Sequence, residues 1–192
     1  MAAEPAAVSE AQLRRMVRAT PGLTVLTGGQ TGVDTYAAIA AQRAGLAVHL
    51  VFPRGLRQED GRLPKARQQQ FATATVHELG SASFRYRTWT CAYLADVVVL
   101  LDPAGGAGCR ETARATRKLG RPLLKVAELD RPIAAATEGF LDRADARVFM
   151  VAGCRGSLLG KQPGASEEVQ AILAELMAGA RAWHDRLVGS PS

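Results

Sequence analysis

Three times in this chain a short, nearly all apolar run gives way to a glycine-rich loop and then to a segment of helix length. The first instance runs from Leu23 to Leu26, through Thr27-Gly28-Gly29-Gln30-Thr31-Gly32, into an alanine-rich stretch from Val33 to Ala44. Gly45 stops that stretch before a second apolar run, Leu46 to Val51, and the whole reads as a βαβ unit. The second instance places a strand at Val97 to Leu101, the loop Asp102-Pro103-Ala104-Gly105-Gly106-Ala107-Gly108, a helix from about Arg110 to Leu119 ended by Gly120, and a strand at Pro122 to Val126. The third has a strand at Arg147 to Val151, a loop from Gly153 to Gly164, and a terminal helix from Ala165 to about Leu187 with Val169, Ile172, Leu173 and Leu176 inward. Strands that are nearly all apolar, rather than apolar at alternate positions, are strands covered on both faces. The pattern therefore predicts an α/β fold: a Rossmann-like, doubly wound, mostly parallel sheet with helices on both faces.

Ahead of the first strand, residues 1 to 8 are rich in Ala and Pro and are expected to fray. Ser9 and Gln12 then have the spacing of a capping box for a helix carrying Leu13, Met16 and Val17 on one face, and Pro21-Gly22 ends it. The expected organisation is a tail and helix over 1–22 and a single domain over 23–187. At 192 residues, 47% of them hydrophobic, the chain is long enough for one sizeable core.

The formal net charge of +6 raises the question of nucleic acid. The Lys and Arg residues are scattered, form no basic run and are little interleaved with aromatics, which argues against a nucleic-acid binder. Cys91, Cys109 and Cys154 are odd in number and outside any C-x-x-C spacing, so the sequence suggests neither a disulfide framework nor a zinc site, and no metal ligand is assigned. Inert packing is the expected role for all three, with a lowered pKa at Cys109 the alternative, because it stands at a helix start. A reducing cytoplasm fits this usage. No segment reaches the roughly 18 apolar residues of a membrane span. His49, His77 and His184 are isolated in sequence and read as surface or structural.

Parallel strands joined by right-handed crossovers place all their carboxyl ends on one edge of the sheet. The three glycine loops should therefore share a rim. The first two also open helices, whose unpaired N–H groups and dipole favour an anion. The familiar phosphate motifs are absent. G-x-x-x-x-G-K-[ST] fails because no lysine follows Gly32, and G-x-G-x-x-G fails together with its acidic partner, the second strand ending in Val51-Phe52-Pro53. There is likewise no H-E-x-x-H and no G-x-S-x-G.

The strings "TGGQTGVDTYAAIAAQRAGLAV", "FPRGLRQEDGRLP", "YRTWTCAYLADVVVLL" and "VFMVAGCRGSLLGKQPGASEEV" resemble the molybdenum-carrier proteins, the circularly permuted branch of the SLOG superfamily, over about residues 24 to 178. That superfamily includes the lysine-decarboxylase-like Lonely-guy phosphoribohydrolases. The resemblance implies a Rossmann-like fold that binds a nucleotide, a nucleotide-derived ligand or a molybdenum cofactor, often as a homo-oligomer. By motif it points to Gly28, Gly29, Gln30, Thr31, Gly32 and Asp34 in the first loop, and to Arg54, Glu59, Asp60 and Gly61 in the next. It points further to Arg87, Thr88 and Asp96, to the loop carrying Gly105, Gly106 and Gly108, and to Arg155 with Gly164. Cys91 stands where the family usually has Asn, and Thr35 where many members have Arg. "PAGGAGCRET" is similar to the P-G-G-x-G-T-x-x-E loop of the Lonely-guy enzymes, with Glu111 one place early and Cys109 in place of the threonine.

Two functions are compatible with these residues. One is a carrier or sensor for a phosphate-bearing small molecule. The other is an N-ribohydrolase acting on a nucleoside 5′-monophosphate, with Glu111 and Arg87 in catalytic roles: amides and Thr31 on the phosphate, Glu111 or Asp34 facing the ribose, Arg87 supplying positive charge. Each residue also has a structural reading. Asp34 can complement a helix dipole, and Arg54, Glu59 and Asp60 can form a solvated loop. Gln30, flanked by glycines, can both donate and accept, whereas Tyr86 and Trp89 fall on a helix where packing or subunit contact is the alternative to base stacking.

Overall fold

The computed structural model describes residues 7–103, 105–126 and 132–189. Residues 1–6 of the expected tail lie outside them. Val8, at its end, is paired rather than frayed: its N–H donates to Glu78 O at 2.8 Å. Helix α1 (Glu10–Ala19) begins with the capping box, Ser9 and Gln12 bonding each other's backbone N–H. Leu13 and Val17 enter the core, but Met16, expected beside them, is 43% exposed.

The βαβ unit forms as strand β1 (Thr24–Thr27), helix α2 (Val33–Arg43) and strand β2 (Ala47–Phe52). A two-residue hairpin, β3 (Arg57–Gln58) and β4 (Gly61–Arg62), a short helix α3 (Lys65–Gln68) and an edge strand β5 (Thr75–Glu78) follow. Then come α4 (Phe84–Leu94), β6 (Val97–Leu101), α5 (Ala107–Lys118) and β7 (Leu123–Lys125). The chain continues through α6 (Ile133–Arg143), β8 (Val148–Gly153), a one-turn helix α7 (Gly156–Leu159) inside the third glycine loop, and α8 (Ala165–Val188).

Six strands form one parallel sheet in the order β5-β2-β1-β8-β6-β7. Strands β1 and β6 are buried at every residue, which requires cover on both faces. Two packed groups of helices supply it: α2 and α6 each against α8, and α1 and α5 each against α4. The sheet order matters for the site. The chain's last strand, β8, lies between β1 and β6, so the strands that carry the three glycine loops are the three adjacent strands at the middle of the sheet. Among the described residues no helix is long and apolar enough to cross a membrane.

Away from that edge, His49 and His77 on neighbouring strands β2 and β5 are buried and stacked, with ring centroids 5.0 Å apart. His49 Nδ1 and His77 Nε2 are 2.8 Å apart, and His49 Nε2 is 2.8 Å from Thr20 Oγ1, the C-cap residue of α1. Isolated in sequence, the two rings form one buried polar link. Burial lowers the basicity of both, and for His77, with the neighbouring His49 adding to it, the pKa falls to about 4.

Candidate functional site

The first and third glycine loops are packed directly together. A Cβ on Gly32 would lie 2.6 Å from Cys154 O and from Gly156 N, and Gly32 has φ +78°, so only glycine fits there. Gly153 closes the approach from the other side, since a Cβ on it would meet Leu101 O at 2.2 Å. These contacts draw the carboxyl ends of β1, β6 and β8 into a single rim.

Glu59, from the β3–β4 turn, is the fastening point of that rim. Its carboxylate accepts from the Thr31 hydroxyl, from Ser157 N at 3.0 Å and from Ser157 Oγ at 2.5 Å. Partial burial pushes this carboxyl up, but the bonds from Ser157 and Thr31 and the charge of Arg155 outweigh that and hold it below its ordinary range. The Thr31 hydroxyl also accepts from Gly156 N at 3.2 Å, so it is engaged on both sides. Gln30 does donate and accept, but toward its own chain: Nε2 to Arg57 O at 3.3 Å, and Oε1 from Glu59 N at 3.0 Å. Asp60 pairs with Arg67 at 3.3 Å. Arg54 is exposed, its backbone N–H held by Ser81 O, and Gly61 opens β4, opposite Gln58 in the hairpin.

Asp34, in the first turn of α2, is buried and accepts from Gln30 N and from Arg87 Nη1, both at 3.1 Å. Burial pushes its carboxyl above the ordinary range, against the opposing pull of the Arg87 charge and the two hydrogen bonds. The Arg87 guanidinium, itself buried, occupies the space a side chain on residue 28 would need: a Cβ on Gly28 would fall 0.9 Å from Nη1. At Gly29 the Phe52 ring makes the same exclusion, at 2.3 Å. The N-terminus of α2 is thus spent internally, with Val33 N–H on Cys154 O and Thr35 N–H on Gln30 O.

The N-terminus of α5 differs. No acidic residue stands in its first turn, and the space around a Cβ on Gly105 or Gly108 is open to at least 4 Å. Its first N–H groups have no partners within the helix. The turn before it is braced by Asp102, whose Oδ1 accepts from Gly106 N at 3.1 Å. This helix start faces a cavity of about 270 Å³ lined by Gln30, Asp34, Arg87, Thr88, Gly108, Glu111 and Arg155. A second cavity, of about 420 Å³, adjoins it, sharing Ala107, Gly108, Gly153 and Arg155.

Glu111 stands at the mouth of the first cavity. Trp89 Nε1 donates to its Oε1 at 2.6 Å and Arg85 Nε at 2.9 Å, and these hold the carboxyl below its ordinary range, the Trp89 bond first. Trp89 is thereby a positioning group for Glu111, while Tyr86 is 41% exposed. Arg155 lies with Arg57 over the Phe84 ring, 5.4 and 5.5 Å from its centroid. Phe84 and Arg85 line the same cavity, and the sequence carried no signal for either. Two residues of the expected set lie elsewhere. Asp96, at the amino end of β6, binds Arg18 at 2.6 Å and the N–H groups of Arg147 and Val148, on the opposite edge of the sheet. Gly164 is the N-cap of α8 with φ +78°. Cys109 is not a lowered-pKa thiol: a hydrogen bond with Cys154, burial and the nearby Asp102 all raise it.

A six-stranded parallel sheet, covered on both faces and with its crevice at the carboxyl edge, makes this a Rossmann-like α/β protein. The chain belongs to the circularly permutated YpsA SLOG family, whose model matches residues 25–177. The solved structures similar to it include the putative molybdenum carrier protein from Syntrophus aciditrophicus SB, with 21% identity, 82% of this chain and 96% of that chain covered, and a TM-score of 0.65. At that identity the likeness shows the shared fold. No functionally curated protein matches the chain.

Proposed function

We propose that the groove formed by the two adjoining cavities binds a phosphate-bearing, nucleotide-type anion, as a carrier or sensor. The observation that carries this reading is the open N-terminus of α5 beside Arg155. Amides without partners inside the helix, a helix dipole and a guanidinium converge there on space that glycines keep clear. Thr88 and the Arg87–Asp34 pair line the inner wall, where a base or sugar would lie. The first loop then acts chiefly as framework, since Thr31, Gln30 and Glu59 are bonded to one another's loops. Titration calorimetry with AMP, inorganic phosphate and a molybdopterin tests this. The last probe is chosen because the similar Syntrophus protein bears the name of a molybdenum carrier. Arg155→Ala should weaken the tightest of these ligands about tenfold, or about 1.4 kcal/mol, with the melting temperature unchanged. Failure of all three probes to bind tighter than millimolar refutes the reading.

A second reading, N-glycosidic hydrolysis of a nucleoside monophosphate, is favoured by one specific observation: an ionised Glu111 and Arg87 line the same cavity. Glu111→Gln should abolish release of free base from AMP while leaving AMP binding within a few-fold. Equal release by the wild type and the variant excludes that role for Glu111. We also infer assembly into a homo-oligomer, supported by the exposed Met16, Tyr86 and Tyr93 on the packed helices α1 and α4, and measurable by sedimentation. A reducing cytoplasmic setting is compatible with three cysteines that form no disulfide among the described residues.

A further inference from the structure

The second cavity of the groove has on its wall two cysteines that neither function uses. Among the described residues, Asp102, Cys109 and Cys154 form a group whose potential ligand atoms all lie within 4.8 Å of one another. Asp102 and Cys109 flank the second glycine loop and Cys154 follows the last strand, so the three come from the end of β6, the first turn of α5 and the end of β8. The two sulfurs are 3.9 Å apart, and Cys154 Sγ is 3.2 Å from Asp102 Oδ1. Two thiolates about 2.3 Å from a tetrahedral Zn²⁺ stand roughly 3.8 Å apart, and a thiolate and a carboxylate oxygen roughly 3.5 Å apart. The sulfur–sulfur spacing therefore fits a tetrahedral edge, the sulfur–oxygen spacing is within about 0.3 Å of one, and the third pair lies inside 4.8 Å.

From these spacings we propose that Cys109, Cys154 and Asp102 bind a thiophilic divalent cation of the Zn²⁺ type, with its fourth position open to the groove. Access is provided by the cavity of about 420 Å³, whose lining includes both cysteines, Glu59, Ser157 and Arg155. Two thiolates and a carboxylate leave the occupied site with one net negative charge. Arg155 and the N-terminal end of α5 offset it. Binding releases the thiol protons, so affinity rises with pH. The site stands whether or not the neighbouring groove takes an anion. Three ligands and one open position are the pattern of a metal that receives an exogenous group rather than one that only braces the fold.

The test uses the full chain, reduced, stripped with a chelator and titrated with Co²⁺. The expected result is one Co²⁺ per chain, with the intense visible bands of a tetrahedral ion, a thiolate-to-cobalt charge-transfer band, and loss of both on addition of Zn²⁺. Cys109→Ser and Cys154→Ser should each lose the charge-transfer intensity, and Cys91→Ser should keep it. In the wild type, Zn²⁺ should slow alkylation of Cys109 and Cys154, read by mass spectrometry, and leave Cys91 unchanged; this holds even where a serine variant folds poorly. An octahedral spectrum, uptake retained in both serine variants, or alkylation rates unaltered by Zn²⁺ would overturn the proposal.

Discussion

Replacing Arg87 with Met keeps much of the side chain's length and removes its charge, leaving the Asp34 carboxylate in a site where its side chain is 5% exposed. In the wild type, burial already pushes that carboxyl up against the pull of Arg87. Breaking a buried pair by removing one partner costs about 3–5 kcal/mol. For a chain of this size that corresponds to a fall in melting temperature of about 6–20 °C. The sign of the pH dependence follows from linkage. With its pKa raised further in the folded state, Asp34 keeps a proton that the unfolded chain gives up, so the deficit is small near pH 4, grows until pH reaches the folded pKa and is constant above it. Urea denaturation followed by circular dichroism at pH 4.5 and 7.5 measures both. Asp34→Asn combined with Arg87→Met should recover a large part of the loss, because no buried charge is then unpartnered. Gly28→Ala, whose Cβ would fall 0.9 Å from Arg87 Nη1, should be far less harmful in the Arg87→Met background than alone. A loss under about 1 kcal/mol for Arg87→Met, or a deficit that shrinks toward neutral pH, refutes the account of this pair.

Gly153→Ala should destabilise by about 2–3 kcal/mol, because the new methyl meets the Leu101 carbonyl at 2.2 Å. Gly108→Ala, with open space at its Cβ, should change stability by less than about 1 kcal/mol while weakening AMP binding, and calorimetry separates the two effects. Glu59→Gln removes the charge that Ser157 and Thr31 bond; it should lose about 1–2 kcal/mol and speed proteolysis near the third loop, seen by limited digestion. The histidine pair makes the fold acid-sensitive. With His77 at about 4 and His49 also below its ordinary value, the unfolded chain takes up protons that the folded chain refuses. Stability should therefore fall as pH drops from about 6.5 to 4, and His77→Gln should flatten that slope in thermal melts.

Much of the architecture was legible because a buried parallel strand and a glycine-stopped helix leave strong local signatures. Strand β6 matched its expected limits, Val97 to Leu101, and β1, α2, β2, α5, β7, β8 and α8 lay within a few residues of theirs. The hairpin and α7 went unread because elements of two to four residues are too short to show a period. Edge strand β5 carries His and Glu where a buried strand would be apolar, and α6 lies in a stretch without a glycine loop to announce it.

The sequence alone determined that three glycine loops would share one rim, since the hand of parallel crossovers leaves no other choice. It could not say what each side chain there would touch. Gln30, Thr31 and Glu59 look alike as polar residues of glycine-rich loops, yet packing turns them on one another, while α5 keeps an open helix start. That division depends on distances between residues up to 125 positions apart. The same is true of Cys109 and Cys154: no spacing in the chain announces them as a pair, and they meet because β8 inserts beside β6.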